Sequence, residues 1–228
     1  MKMVSRLKKW WNTEAEKLAP MSFGKRAEYI LYYYRFWIFG FIALLFIGSY
    51  AADAVYQSQR EIVLQGFFTN DDYGLFDAGA ITDDYTSGLT LDKNQRVIFD
   101  DVLYIDLDGG ATDYTAASNG KIIAYIATSE LDFVITSLPV FQHYAEKVSM
   151  IDFNELLPAD LLEKISPDAL LYSTNADGQT AAWGLDMSGS RFVRDNNIKD
   201  ADGFYAMFVP HSAPNKEQLI DFIRYSFT

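Results

Sequence analysis

The sequence predicts a three-layer α/β domain on a mostly parallel sheet of four to five strands, preceded by a single transmembrane helix. Three observations lead there. Residues 30–52, ILYYYRFWIFGFIALLFIGSYAA, form an apolar run whose only charge is Arg35. Short segments rich in Val, Ile and Phe then recur between stretches of helical spacing. Residues 121–129, 131–136 and 140–146 read as helix, strand and helix, an alternation that sets neighbouring strands parallel.

The apolar run comes first. Its 23 residues would make a helix of about 34 Å, enough for a hydrocarbon core of roughly 30 Å. Arg35 can snorkel from near one end, and Tyr32, Tyr33, Tyr34 and Trp37 suit the headgroup layer. Trp37, Phe41, Leu45 and Tyr50 are the expected lipid-facing anchors, with Arg35 at the boundary. Residues 1–35 carry eight bases against three acids, whereas residues 53–228 carry 28 acids against 11 bases. That asymmetry predicts a cytoplasmic basic leader (1–29), a short stalk (53–60) and an extracytoplasmic domain (61–228) at the cell membrane. Small residues at 49–51 and 52–54 match a signal-peptidase spacing, but the long leader and long apolar run favour an uncleaved signal-anchor. Within the leader, Met3, Leu7, Trp10 and Trp11 share one side among basic residues, as in an interfacial segment. Pro20 and Gly24 are expected to break the chain before the span.

Composition excludes several classes. The net charge of −12 repels a phosphate backbone, so nucleic acid is not a partner. There is no cysteine, which removes disulfides, thiol catalysis and a lipoprotein anchor. No G-x-S-x-G, G-x-G-x-x-G or P-loop pattern occurs, and His143 and His211 have no zinc spacing, so neither enzyme nor cofactor is expected.

The remaining elements follow in order. EIVLQGFF at 61–68 reads as a first core strand, and 74–85 as a helix bearing Leu75, Phe76, Ala80 and Ile81. QRVIFDDVLYIDL at 95–107 alternates like a strand interrupted at Asp100 and Asp101. Ile122, Ile123, Ile126 and Ala127 give the next helix its apolar face. One or two short helices flank Pro158, and strands at 169–173 and 180–185 are separated by the hairpin turn 175–178. FYAMFV at 204–209 reads as a buried strand, and 215–225 as an amphipathic helix with Leu219, Ile220, Phe222 and Ile223 inward.

Three stretches carry a resemblance. KIIAYIATSELDFVIT, MIDFNELLPADLL and FYAMFVPHSAPNKEQLIDFIRYSF resemble helix–strand, "fldLdelLp" and C-terminal segments of the extracellular solute-binding proteins of ABC importers. The chain is thus similar to one lobe of a type II periplasmic-binding protein, and to uncharacterised membrane-anchored proteins of Gram-positive gut bacteria. The resemblance implies a non-enzymatic accessory or interaction module, associated with the bilayer and with a membrane protein such as an importer permease. A reduced domain that binds or senses a solute or cation is the alternative. A second lobe does not fit in the length available.

The leading site candidates follow predicted strands, where α/β sites tend to lie. Asp106 and Asp108, in DLDGGATD, are spaced like Ca²⁺ ligands, but an EF-hand loop fails with Gly110, Ala111 and Ala117 at its fifth, sixth and twelfth positions. A flexible acidic turn fits the same residues. Thr112, Thr115 and Ser118 offer hydroxyls at a helix start, to a ligand or to the helix itself. Ser137 stands at the end of the strand 131–136, and Tyr172 and Trp183 can stack on a sugar ring. Residues 186–190 read as a turn.

Overall fold

The computed structural model describes residues 12–110, 112–175, 178–194 and 204–228. The expected amphipathic face of Met3, Leu7, Trp10 and Trp11 lies outside these residues, as do Ala111 and the hairpin residues Ala176 and Asp177. The chain divides into two compact units, residues 1–59 and 60–228.

The first unit is dominated by helix α1 (Phe23–Ser58). An 18-residue window inside it has a mean hydropathy of 1.9 and no buried share, so one helix is long and apolar enough to cross a membrane. Trp37, Phe41, Leu45 and Tyr50 all point outward with more than half their surface exposed. Gly24 sits inside the helix rather than before it, and the break falls at Ala19 to Ser22. The stalk is helical as well, since α1 continues to Ser58.

The second unit is a single mixed sheet covered on both faces. Its strands are β1 (Glu61–Thr69), β2 (Gln95–Leu103), β3 (Phe133–Ser137), β4 (Leu170–Thr174), β5 (Thr180–Asp186) and β6 (Tyr205–Phe208), in the order β2-β1-β3-β6-β5-β4. Only the β1–β2 and β1–β3 joins are parallel, and the other three are antiparallel. The expectation of a mostly parallel sheet of four to five strands is therefore corrected to six mixed strands among the described residues. The reason is connection length. Helical crossovers link β1 to β2 and β2 to β3, whereas a loop as short as 175–179 can only return the chain antiparallel. β6 then slots between β3 and β5 and runs against both.

Alternation along the strands builds two cores. Phe68, Phe133, Ile135, Met207 and Leu185 face helices α2 (Ala78–Ser87), α5 (Phe153–Leu156), α6 (Ala159–Leu162), α7 (Arg191–Arg194) and α8 (Lys216–Ser226). Phe67, Val134, Ala206 and Phe208 face α3 (Asp113–Ala127) and α4 (Leu138–Ala145). Aromatic packing ties α8 to the sheet, with the Phe222 and Phe133 rings stacked at 4.9 Å. Details of the reading shift in three places. Helix α2 begins at Ala78 because Asp77 caps it, and Leu75 and Phe76 are buried ahead of the helix. Strand β2 runs through Asp100 and Asp101 with a register irregularity instead of a break. On α3 only Ile122 of the expected apolar face is fully buried, and Ile123 is exposed.

Candidate binding cleft

The expected site lies at the carboxyl ends of β1, β2 and β3, where open α/β sheets bind ligands. There several of the polar groups pair with one another or with nearby backbone. Asn70 donates from its amide to the Ile105 carbonyl at 2.7 Å and accepts the Ile105 N–H at 2.9 Å. Thr69 and Thr136 pair through their hydroxyls at 2.7 Å. Asp106 accepts the backbone N–H of Asp108 at 2.9 Å, and Asp108 is exposed. Thr112 and Thr115 form a reciprocal capping box at the start of α3, and the Ser118 hydroxyl accepts the Tyr104 N–H. Ser137 is the N-cap residue of α4, half-buried and pairing with Tyr205 across the sheet. These residues share one end of the domain, where Asn70–Ile105 and Thr69–Thr136 join separate strands and the Asp106 and Thr112 bonds are local. Among the described residues no group of three or more His, Asp or Glu is arranged to hold a metal.

A cleft opens at the opposite end. β6 is antiparallel to β3, so His211 beyond β6 and the β4–β5 hairpin both lie beside the amino end of β3. There the segment 145–152 faces the hairpin across a cleft of about 710 Å³, within the size range of ligand sites. One wall is pinned to the end of β6. The Ile151 N–H reaches the Val209 carbonyl, the His211 N–H reaches the Ser149 carbonyl (both 2.9 Å), and Met150 bridges to Pro210. The opposite wall is the hairpin, where the Gln179 N–H donates to the Asn175 side chain at 2.9 Å and Gly178 takes a φ of +75°.

A bulge aims the one large aromatic ring of this cleft. Leu171 pairs with Gly184 and Tyr172 with Ala182, which leaves Trp183 as an extra residue on β5. Trp183 and Gly184 therefore project to the same face, toward Phe141, Tyr144 and Leu171, while Ala182 points to the other core. Trp183 packs half-buried along the cleft, and its indole nitrogen is buried with no acceptor. Tyr172 projects to the opposite face, where its hydroxyl accepts from Asn154 at 3.3 Å. The two aromatics expected to stack on a ring thus stand on different sides of the sheet.

Glu146, Asp152, Glu155, Lys147, Lys216 and His211 are among the polar residues that line it, with Gln179 on the hairpin. Asp152 caps α5 by accepting the Asn154 N–H at 2.9 Å. Beside the cleft, burial and then the Lys147 ammonium depress the His143 imidazole below its usual range, and Lys147 lies 3.0 Å from its Nε2. Of these residues only Trp183 stood out in the sequence. The others come from three separate segments, 145–155, 175–183 and 211–216, and no spacing links them before the hairpin and the end of β6 meet. No protein family, curated protein or solved structure matches this chain.

Proposed function

We propose that the protein is a single-pass, membrane-anchored accessory module whose acidic outer domain binds a partner or ligand without transforming it. The observation that carries the reading is α1, whose apolar window is wholly unburied and whose aromatic and aliphatic side chains face outward along its length. A helix so apolar and so bare is suited to a bilayer, which supports the reading. The charge asymmetry between residues 1–35 and 53–228 supports a cytoplasmic amino end and an external domain. The cleft beside Trp183 gives that domain a concave surface for binding, and an importer permease is the partner class that the sequence resemblance offers.

The absence of cysteine makes the orientation simple to test. Single cysteines replace Ser166, exposed in the domain, or Asn12, exposed before α1. A membrane-impermeant maleimide on intact cells should label Ser166→Cys and reach Asn12→Cys only after lysis. The reverse pattern, or labelling of both, overturns the reading.

A further inference from the structure

Going beyond that reading, we infer that the free edge of β2 pairs with the same edge of a second copy, antiparallel and in a register centred on Ile98. β2 ends the sheet, with β1 on one side and no strand on the other among the described residues. A row of unpaired peptide groups on such an edge is a template for another strand. The Glu61 N–H donates to the Asn94 carbonyl at 2.7 Å, so the peptide groups at 94, 96, 98 and 100 face β1. Those of Val97 and Phe99 alternate with them and face outward. Those of Gln95 are engaged, with the Asp92 carbonyl and the Arg60 guanidinium. β2 advances without an extra residue from Gln95 to Asp100, so this stretch can pair regularly.

The charges along the edge select a second copy as the occupant. Arg96, Ile98 and Asp100 point to one face of the sheet, the α3 side, where Asp100 meets Lys121. When two β2 edges pair antiparallel about Ile98, Val97 stands opposite the partner's Phe99, and both have outward peptide groups to exchange. Arg96 then stands opposite the partner's Asp100, and the two-fold axis makes this contact twice. Registers centred on Val97 or Phe99 would instead set Arg96 against an apolar side chain, Ile98 or Val102. Within one copy the Arg96 Nε is buried with no partner among the described residues. Asp100 accepts Lys121 at Oδ2 and the Val102 N–H at Oδ1, and a carboxylate has about four lone-pair sites, so it can take a further donor.

The surface beside this edge does not oppose a second copy. Two domains drawn from a region of 28 acids and 11 bases repel one another over most of their surface. Helix α3 is held beside β2 by Lys121 and by the Ser118 hydroxyl, which accepts the Tyr104 N–H at 3.3 Å. From residue 114 to 127 its only charge is Lys121, already paired with Asp100. Tyr114 and Ile123 on α3 are exposed, as are Val102 and Tyr104 at the end of β2.

The chain has no cysteine, so Ile98→Cys carries one thiol whose disulfide can form only between copies. At the two-fold axis the two positions make a non-hydrogen-bonded pair with Cα atoms about 4.5 Å apart, within disulfide reach. In the full chain in dilute detergent micelles, mild oxidation should give a covalent dimer with Ile98→Cys and about tenfold less with the exposed Ser166→Cys. Arg96→Glu sets like charges opposite one another, and sedimentation should show the dimer dissociation constant rising about tenfold or more. In the Ile98→Cys chain it should also remove the disulfide. Equal yield at positions 98 and 166, no disulfide at 98, or a dimer that Arg96→Glu leaves intact overturns the inference. A dimer held only through α1 falls in the last class. The Ile98→Cys result stands on its own should Arg96→Glu disturb folding. Micelles make the measurement independent of membrane orientation, so it and the maleimide test fail separately.

Discussion

The buried carboxylate of Asp132 accepts the backbone N–H of Asn215 at 2.8 Å, fastening the head of β3 to the start of α8. The same side chain accepts the Gln65 N–H at 2.7 Å and the Asn215 amide at 3.1 Å. Asp132→Asn turns one acceptor into a donor facing donors, and should cost about 1–3 kcal/mol. Burial nevertheless holds the Asp132 carboxyl above its ordinary value of 3.8, against the pull of those three donors. The folded state therefore keeps its proton where the unfolded state has lost it. This contribution is full below 3.8 and is lost as pH rises through the folded value. Urea unfolding of both chains at acid and neutral pH should show the cost of Asp132→Asn shrinking as pH rises.

Gly66 is required by a ring. A Cβ there would stand 2.1 Å from Cζ of Phe133, which is fully buried against Phe68, Phe99 and Phe222. The ring has no free space into which to turn. Gly66→Ala should destabilise the domain by about 1–3 kcal/mol, read as a lower urea midpoint with an unchanged slope.

The acidic loop should not respond to Ca²⁺. Asp106 is engaged by the Asp108 N–H, and its Oδ2 lies 3.1 Å from where a side chain at Gly110 would begin. Adding millimolar Ca²⁺ should leave the thermal midpoint unchanged. Asp106→Ala should cost about 0.5–1.5 kcal/mol through the lost turn bond. A midpoint that rises saturably with Ca²⁺ would restore the loop as a cation site.

Much of this domain was legible in the sequence because its signals are local. The apolar run, the hairpin at 175–178, the short helices around Pro158 and the buried FYAMFV strand each depend on neighbours a few residues away. What was hidden is the direction of β6. Its four residues are all buried, so they show no alternation to mark a face, and they lie between β3 and β5 from distant parts of the chain. The cleft was hidden for the same reason, since it exists only because β6 brings His211 to the hairpin end. The residues at 106–118 attracted notice as polar groups beside glycines, but that composition suits caps and turns as well as ligands.

Alkaline stability should fall in a defined window. Burial pushes the Tyr144 phenol up to about 12, with its hydroxyl donating to Asn119 at 2.6 Å. Burial, and then the hydrogen bond to Asp84, also takes Tyr225 up to about 12. Tyr85 and Tyr205 are raised by burial as well. Each contribution is full below the ordinary phenol value of 10 and is lost as pH rises through the folded value. A phenolate absorbance titration should show a class of late tyrosines that ionise together with unfolding. A single transition near the ordinary value would contradict the burial.

If α1 crosses a membrane as proposed, a polar contact early in the helix predicts where the hydrocarbon begins. Residues 12–18 are helical, and the turn that follows brings Glu14 back to α1. There Glu14 pairs with Lys17 at 2.7 Å, accepts from the Tyr29 hydroxyl at 3.3 Å and is shared by Tyr34. Arg26 reinforces the turn by donating to the carbonyls of Met21 and Ala19. An ion pair beside Tyr34 belongs in the headgroup layer, because burying charge in hydrocarbon is costly. On the proposed membrane reading, the lipid-embedded stretch is expected to begin after Arg35, against residue 30 from hydropathy alone. From 36 to 56 it spans 21 residues, or about 32 Å, with Asp53 near its far end able to reach the opposite headgroups. Single cysteines replacing Leu31 and Leu45 distinguish the two boundaries. With the lytic maleimide protocol, Leu31→Cys should label at a rate near that of a surface thiol, while Leu45→Cys should stay protected until detergent is added. Equal protection of both would place residue 31 in the hydrocarbon and remove the fold-back contact from its assigned depth.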